Sequence, residues 1–248
     1  MASIVEHWTH TGPVHAPETI SRDLIAREEV RAAATAGEPA ALGLLGFATG
    51  TFTLSAIATG FFEPSTIPYA VPVVLVFAGL AQFIAAMWSF RRGDTLAATA
   101  FGPFGSFNVT FALYELLMHP STIGGSAAAA PVVGIWIAFF AYIALMLFVG
   151  ALRRSTVLSL VLLALAGTYG FLAADVFVGG GTVLMHIAGW CGIVSSILAV
   201  YVATATVINS ENQSAMLPIG SMHPVAHGDH TFTPETRTST TTVREPVH

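Results

Sequence analysis

The sequence contains no lysine and one cysteine, Cys191, so every basic residue is an arginine and no disulfide can form within one chain. Charged residues make up only 9% of the 248 residues, whereas ordinary soluble domains carry roughly 25%. Hydrophobic residues make up 54%, and the mean hydropathy is +0.72. This composition excludes a soluble enzyme and a disordered chain. The absence of a basic stripe argues against nucleic acid as a partner.

The few charges are concentrated in the two tails, which leaves eight charged residues between positions 39 and 210. These eight divide the apolar block into stretches of about 20 residues, the length that a transmembrane helix needs. Runs such as 71–77 and 142–148 do not alternate between polar and apolar residues, which argues against a membrane β-barrel. We therefore predict an all-α membrane protein with six spans: 41–62, 69–90, 97–118, 131–152, 155–176 and 183–208.

Four arginines indicate the orientation of these spans. Arg91 and Arg92 lie between the second and third spans, and Arg153 and Arg154 lie between the fourth and fifth. The other three short loops contain no basic residue, so the positive-inside rule places both arginine loops and both termini in the cytoplasm. The N-terminus lacks the features of a cleaved signal peptide. We expect a multi-pass protein of the plasma (cytoplasmic) membrane.

The predicted organisation is one transmembrane domain, residues 38–220, between two cytoplasmic tails. The first tail, 1–37, includes a stretch, 18–36, that could form an amphipathic helix on the inner membrane surface. A plain solvated helix fits that stretch equally well. The second tail, 221–248, is polar and rich in threonine, and we predict that it is disordered.

Three bulky apolar residues stand at one depth in the odd-numbered spans. Phe47, Phe104 and Leu165 lie 9, 12 and 11 residues after the charged stub that precedes each span, leaving Asp94 out of the count. A rise of 1.5 Å per residue puts them roughly 14–18 Å deep, close to the midplane of a bilayer core at about 15 Å. They could form a hydrophobic constriction. On spacing alone, three ordinary core or lipid-facing residues are the alternative.

Neutral polar side chains are the candidates for lining a solute path: Thr51, Gln82, Ser106, Asn108 and Thr110. Each could instead bind a neighbouring helix. Pro103 should kink or break the third span, and a broken helix at membrane depth is tolerated only inside protein or beside a water-filled cavity.

Glu115 and His186 are the titratable residues that could take part in proton-linked transport, since intramembrane carboxylates often do so. A solvated carboxylate and a structural histidine are the alternatives. The sequence holds no metal-binding cluster, nucleotide fingerprint or catalytic constellation. We therefore expect no metal, no cofactor and no enzymatic activity.

Five stretches resemble the acetate uptake transporter family, in the order of that family: residues 38–47, 79–83, 90–107, 186–190 and 217–220. The first resembles the family's Asn-Pro-Ala-Pro-Leu-Gly-Leu signature, with Glu38, Pro39 and Gly43 at an inner mouth. The resemblance implies a ring-like homohexamer in which each six-helix protomer has its own pore for acetate and related small carboxylates.

The resemblance also assigns roles. It implies that Phe47, Phe104 and Leu165 narrow the pore, that Gln82 is the glutamine of the second helix, and that Ala199 occupies a small position that affects substrate size. This chain departs from the family at four positions, which bear on substrate preference.

The departures replace an asparagine by Glu38, a proline by Ala41, a tyrosine by Phe104 and a tryptophan by Asn108. The predicted function is a transporter or channel for acetate-like carboxylates, including succinate, across the lipid bilayer. The alternative is a membrane sensor or scaffold that keeps the fold without transport. Channel conduction and proton symport both remain open.

Overall fold

A computed structural model of the chain describes residues 37–118, 129–212, 214 and 216–220. These residues form helices and no β-strand, and six of the helices are long and apolar enough to cross a membrane: α1 Pro39–Ala58, α2 Pro64–Arg91, α3 Thr95–Met118, α4 Ala130–Ala151, α5 Thr156–Phe177 and α6 Val183–Asn212. The six predicted spans are confirmed, with ends that shift by a few residues. The predicted tails, apart from residue 37, lie outside the described residues.

The six helices follow one another around a ring. Each packs against its neighbours in the sequence, and α1 also packs along α6, which brings the two ends of the chain order together. The backbones of α3 and α4 are in the thinnest contact of the ring. Because the helices alternate in direction, α1, α3 and α5 all begin at the end that carries Arg92, Arg153 and Arg154. We call this the arginine end.

Local sequence fixes where the odd-numbered helices begin. Glu38 caps α1, its Oε1 accepting a hydrogen bond from the Ala40 amide at 3.3 Å, and Pro39 occupies the first helical position, where its missing N–H costs nothing. Ser155 caps α5 by accepting from the Leu158 amide at 3.3 Å. These starts place Phe47, Phe104 and Leu165 about two and a half turns into their helices from the arginine end.

The second helix is irregular. A 3₁₀ turn, Pro64–Thr66, leads into an α-helical turn, Ile67–Val73, and then into a π-helical segment, Val74–Leu80, before α-helix resumes at Ala81–Arg91. π-helical segments are rare overall, and those that occur are often found at functional sites. The sequence predicts the span but not this change of winding.

Two glycines bring the neighbouring helices against the backbone of the π segment. A Cβ added to Gly46 of α1 would lie 2.6 Å from the Phe77 carbonyl oxygen, and one added to Gly105 of α3 would lie 3.0 Å from the Gly79 carbonyl oxygen. Small residues permit such backbone contact between membrane helices. The π segment is therefore held between α1 and α3 by contacts that no larger residue could make without moving the backbone.

Pro103 does not break α3, which is helical from Thr95 to Met118, so a break is wrong and a kink stays a prediction. A proline removes one backbone donor from the ladder, and the other hydrogen bonds of a long helix remain. Such positions are tolerated in membrane helices where the surrounding protein satisfies the released group.

We expect Gly46→Ala to destabilise the protein by about 1–3 kcal/mol, as overpacking does, because the obstructing atom is a backbone oxygen. Gly170→Ala is the matched control, since a Cβ at that exposed helical position meets nothing within 4 Å. Thermal unfolding in detergent, followed by tryptophan fluorescence, measures both. Equal melting temperatures for the two variants would contradict the close packing described for Gly46.

Candidate functional site

A cavity of about 670 Å³ opens inside the arginine end of the ring. Its walls come from the first half of each odd-numbered helix and the last turns of α6. Leu158, Leu162 and Leu165 form one face of α5 along it, at the i, i+4 and i+7 spacing of a helix. Glu38 and Arg153 lie in its wall nearest the end of the bundle. The interior is thus apolar, with charge at the rim.

A smaller cavity of about 70 Å³ lies in the other half of the bundle. Its polar wall consists of Thr51, Ser55, Asn108 and Thr168, and its apolar wall includes Phe107 and other aromatic rings. These polar groups are neutral. The second cavity therefore offers hydroxyl and amide groups where the first offers mainly hydrocarbon.

Leu165 lines both cavities and so stands between them. Phe47 and Phe104 line the large cavity, with ring centroids 6.3 Å apart. All three side chains are at least 96% buried. The three residues that the sequence placed at one depth thus all line the large cavity, and Leu165 also lines the small one.

A cluster of aromatic rings closes the ring of helices where α3 and α4 are in thin backbone contact. Phe107 of α3 lies 4.9 Å from both Trp136 and Phe140 of α4, and 4.8 Å from Tyr169 of α5. Phe104 stacks on Tyr169 at 6.0 Å. Such ring pairs add about 0.5–1.5 kcal/mol each beyond the area that they bury. The cluster therefore fixes the orientation of Phe104.

Gln82 is fully buried and lines the large cavity, yet neither its Oε1 nor its Nε2 has a hydrogen-bond partner among the described residues. A buried amide without partners costs about 1–3 kcal/mol. Asn108 differs, since its Nδ2 donates to the Phe104 carbonyl at 2.9 Å and its side chain lines the small cavity. Gln82 is therefore the amide whose donor and acceptor are both left for a solute or water.

Ion pairs join the helix ends at the rim. Arg92 pairs with Glu38 at 3.0 Å, and Arg154 pairs with Asp94 through both guanidinium nitrogens, Nη1 at 2.6 Å from Oδ1. Partial burial acts to raise the pKa of the Asp94 carboxyl, but hydrogen bonds from Arg154 and from the Ala97 amide hold that pKa below its ordinary value. The same pair raises the pKa of Arg154. Both partners therefore stay charged at neutral pH.

The structure places the remaining predicted residues as follows. Thr51 lines the small cavity. Outside both cavities are Ser106, which donates to its own helix at Gly102, the exposed Thr110, and the fully buried Ala199. Gly43 packs against the Phe101 ring, and Pro39 starts α1.

The two candidate proton-linked residues lie at the end opposite the arginines, and neither lines the cavities described above. Glu115 is buried in α3, and its Oε1 lacks a hydrogen-bond partner among the described residues. His186 is exposed, and its Nδ1 lies 3.3 Å from the Thr182 carbonyl oxygen. The described residues contain no group of three His, Cys, Asp or Glu side chains suited to a metal ion.

Asp175 lies in the last turn of α5 and binds the loop that joins α5 to α6. Its carboxylate is fully buried and accepts hydrogen bonds from the Gly181 amide at 3.0 Å, the Thr182 amide at 2.8 Å and the Thr182 hydroxyl. Gly179, Gly180 and Gly181 all have positive φ, a conformation that glycine adopts without strain. Asp175 is thus a structural residue that holds this loop.

Sequence reasoning missed several contributors to the site, among them Tyr169 and Ile219. Tyr169 joins the aromatic cluster and lines the small cavity. It follows Leu165 by four residues, so helical spacing alone placed both on one face of α5. Ile219 lines the large cavity from beyond α6. It belongs to a stretch that resembles a family motif, but that resemblance did not predict where the stretch lies in the fold.

Comparisons with known proteins agree with this geometry. The family described as the GPR1/FUN34/yaaH family matches residues 25–223. The succinate-acetate/proton symporter SatP of Escherichia coli K12 is 31% identical over 185 residues, which cover 75% of this chain and 96% of that protein. The acetate transporter protein patA of Penicillium expansum is 28% identical over 205 residues, 76% of this chain and 79% of that protein.

A solved structure has the same fold. The structure of the bacterial acetate channel SatP aligns with a TM-score of 0.66 and 30% sequence identity, covering 75% of this chain and 100% of that one. With six apolar helices of spanning length, these likenesses identify a multi-pass membrane protein whose relatives are transporters and channels. The resemblance inferred from the five sequence stretches is confirmed.

Proposed function

The chain belongs to the GPR1/FUN34/YaaH family, and on this premise we propose that it conducts acetate and related small carboxylates, including succinate, across a membrane. The observation that carries the proposal is the pair of cavities that meet at Leu165 inside one chain. A solute path through each protomer requires such an arrangement. The names of the relatives supply the substrate class.

In the proposed mechanism, Phe47, Phe104 and Leu165 form the constriction. A small acid enters the large cavity past the charged rim and loses part of its hydration among leucine side chains. The Gln82 amide, which has no partner in the described chain, donates to the carboxylate in place of water. Beyond Leu165, the hydroxyl of Thr51 and the amide of Asn108 form hydrogen bonds with the acid in place of the water that it lost. Neutral groups bind weakly, which suits conduction.

The proposal extends to orientation and assembly. The arginine end faces the cytoplasm of a cell whose plasma membrane holds the protein, following the positive-inside rule. Six copies form a ring, with the tails 1–37 and 221–248 on the cytoplasmic side of the 38–220 domain. Native mass spectrometry of the protein in detergent tests the hexamer, and a mass of one or two copies would contradict it.

Uptake of labelled acetate into liposomes that contain the purified protein tests the proposed function. We expect uptake above that of empty liposomes. Stimulation by an inward proton gradient would identify symport, whereas dependence on membrane voltage alone would identify a channel. No uptake under either condition would reject transport and favour a sensor or scaffold.

We expect Leu165→Ala to raise the uptake of acids larger than acetate, such as lactate, relative to acetate, because it removes the side chain between the two cavities. Leu163→Ala is the matched control, since Leu163 lies on the exposed face of the same helix. Competition between labelled acetate and unlabelled lactate measures the ratio. An unchanged ratio in Leu165→Ala would remove Leu165 from the constriction.

We expect Gln82→Leu to lower acetate uptake roughly tenfold or more, since a hydrogen bond to a charged group is worth about 1.5–3 kcal/mol. The variant should melt no lower than the parent, because it removes a buried amide without partners. Ser89→Ala is the matched control: its hydroxyl is also buried without a partner, two turns along α2 and outside the cavities. Equal uptake in both variants would contradict the proposed role of Gln82.

We expect Glu115→Gln to abolish any stimulation of uptake by a proton gradient, because glutamine keeps the shape of the side chain and cannot titrate. The same measurement on His186→Asn separates the two candidates. Uptake at several external pH values, at fixed internal pH, provides the readout. A gradient response that survives in both variants would exclude these residues as the proton-linked groups.

A further inference from the structure

The segment that follows α6, residues 216–220, folds back onto the arginine end. Asn209 of α6 binds Leu217 in both directions: its Nδ2 donates to the Leu217 carbonyl and its Oδ1 accepts from the Leu217 amide, both at 2.9 Å. The Tyr201 hydroxyl donates to the Pro218 carbonyl at 2.7 Å. These three hydrogen bonds hold the first half of the segment against α6.

The second half of the segment binds the start of α5. The Ser155 hydroxyl donates to the Ile219 carbonyl, while its oxygen accepts from the Leu158 amide as the helix cap. The Thr156 amide, which has no acceptor within its own helix, donates to the Gly220 carbonyl at 3.2 Å. Because α5 needs these acceptors, the segment and the first turn of α5 stabilise each other.

Gly220 makes this close approach. Its φ is +65°, and an added Cβ would lie 3.0 Å from Thr156. A larger residue there would be strained and would push the segment away from α5. The segment thus has a defined place rather than a loose contact.

The Ile219 side chain lines the large cavity, together with Ser155, Leu158 and Asn209. It is half-buried, so part of its surface remains accessible. Leu158, Leu162 and Leu165 continue this apolar wall toward the proposed constriction. Ile219 therefore stands at the outer end of the wall whose inner end is Leu165.

We propose that residues 217–220 form a fixed part of the cavity mouth and that Ile219 restricts which carboxylates pass it, a second selectivity position about three helical turns from Leu165. The proposal rests on the transport function proposed above. It gives a role to the Leu-Pro-Ile-Gly stretch, residues 217–220, which takes no part in the proposed constriction. Ile219 restricts the longer, more highly charged acids most strongly, because an apolar side chain at the mouth hinders a dicarboxylate more than a monocarboxylate.

Liposome uptake of labelled acetate and labelled succinate by Ile219→Trp and Ile219→Ala tests this selectivity. We expect Ile219→Trp to lower succinate uptake by about tenfold, equivalent to about 1.4 kcal/mol, and acetate uptake less; Ile219→Ala should raise the succinate-to-acetate ratio. Met216→Trp is the matched control, since exposed Met216 lies in the same segment outside the cavity, and it should keep the parent ratio. Unchanged ratios in both Ile219 variants, with active parent protein, would overturn the proposal and leave the transport function intact.

Thiol labelling tests the position of Ile219 independently of transport. The chain has a single cysteine, so Cys191→Ser provides a thiol-free background for Ile219→Cys and for Met216→Cys. We expect a small anionic thiol reagent to modify both thiols, and succinate to slow the modification of Ile219→Cys alone. Modification that succinate leaves unchanged at both positions, or slows equally at both, would overturn the placement of Ile219 at the mouth. Absence of uptake in the parent protein would reject the transport function instead.

Discussion

The backbone of the π segment, Val74–Leu80, is the surface on which the site is built. Gly46 and Gly105 contact its carbonyl oxygens from opposite sides, and each glycine is adjacent in sequence to an aromatic residue, Phe47 or Phe104. Since neighbouring residues of a helix point about 100° apart, a glycine held against α2 turns its aromatic neighbour toward the large cavity. The same segment ends immediately before the turn that carries Gln82. These two close backbone contacts therefore orient Phe47 and Phe104, two of the three residues of the proposed constriction.

The depth of a residue could be predicted from the sequence, because charged stubs fix where each helix begins and the rise per residue is constant. Phe47, Phe104 and Leu165 were predicted to share one depth on this basis, and all three line the large cavity. The direction of a side chain around the helix could not be predicted for α3, where Asn108 lines a cavity and Ser106 and Thr110 do not. A helix that is apolar on every side gives no periodic signal, since lipid and protein neighbours accept the same residues.

Two further features depended on contacts between distant parts of the chain. The π winding of α2 has no local signature beyond its prolines, and the wound segment packs between α1 and α3. The position of residues 217–220 depends on side chains of α5 and α6 that meet only in the folded ring. By contrast, the family resemblance extended over most of the chain, so the fold and the class of relatives followed from short motifs whose individual roles were unknown.

The loop between α5 and α6, which Asp175 binds, has a consequence for anions that approach from the end opposite the arginines. The N-terminus of a helix attracts anions through its unpaired amides, and α6 begins at that end. The protein's own carboxylate already accepts from the Thr182 amide there. An internal anion thus competes with any solute for this position and, being covalently attached, does so at a very high local concentration. The Asp175 carboxylate therefore lies beside the start of α6, where its negative charge disfavours a second anion.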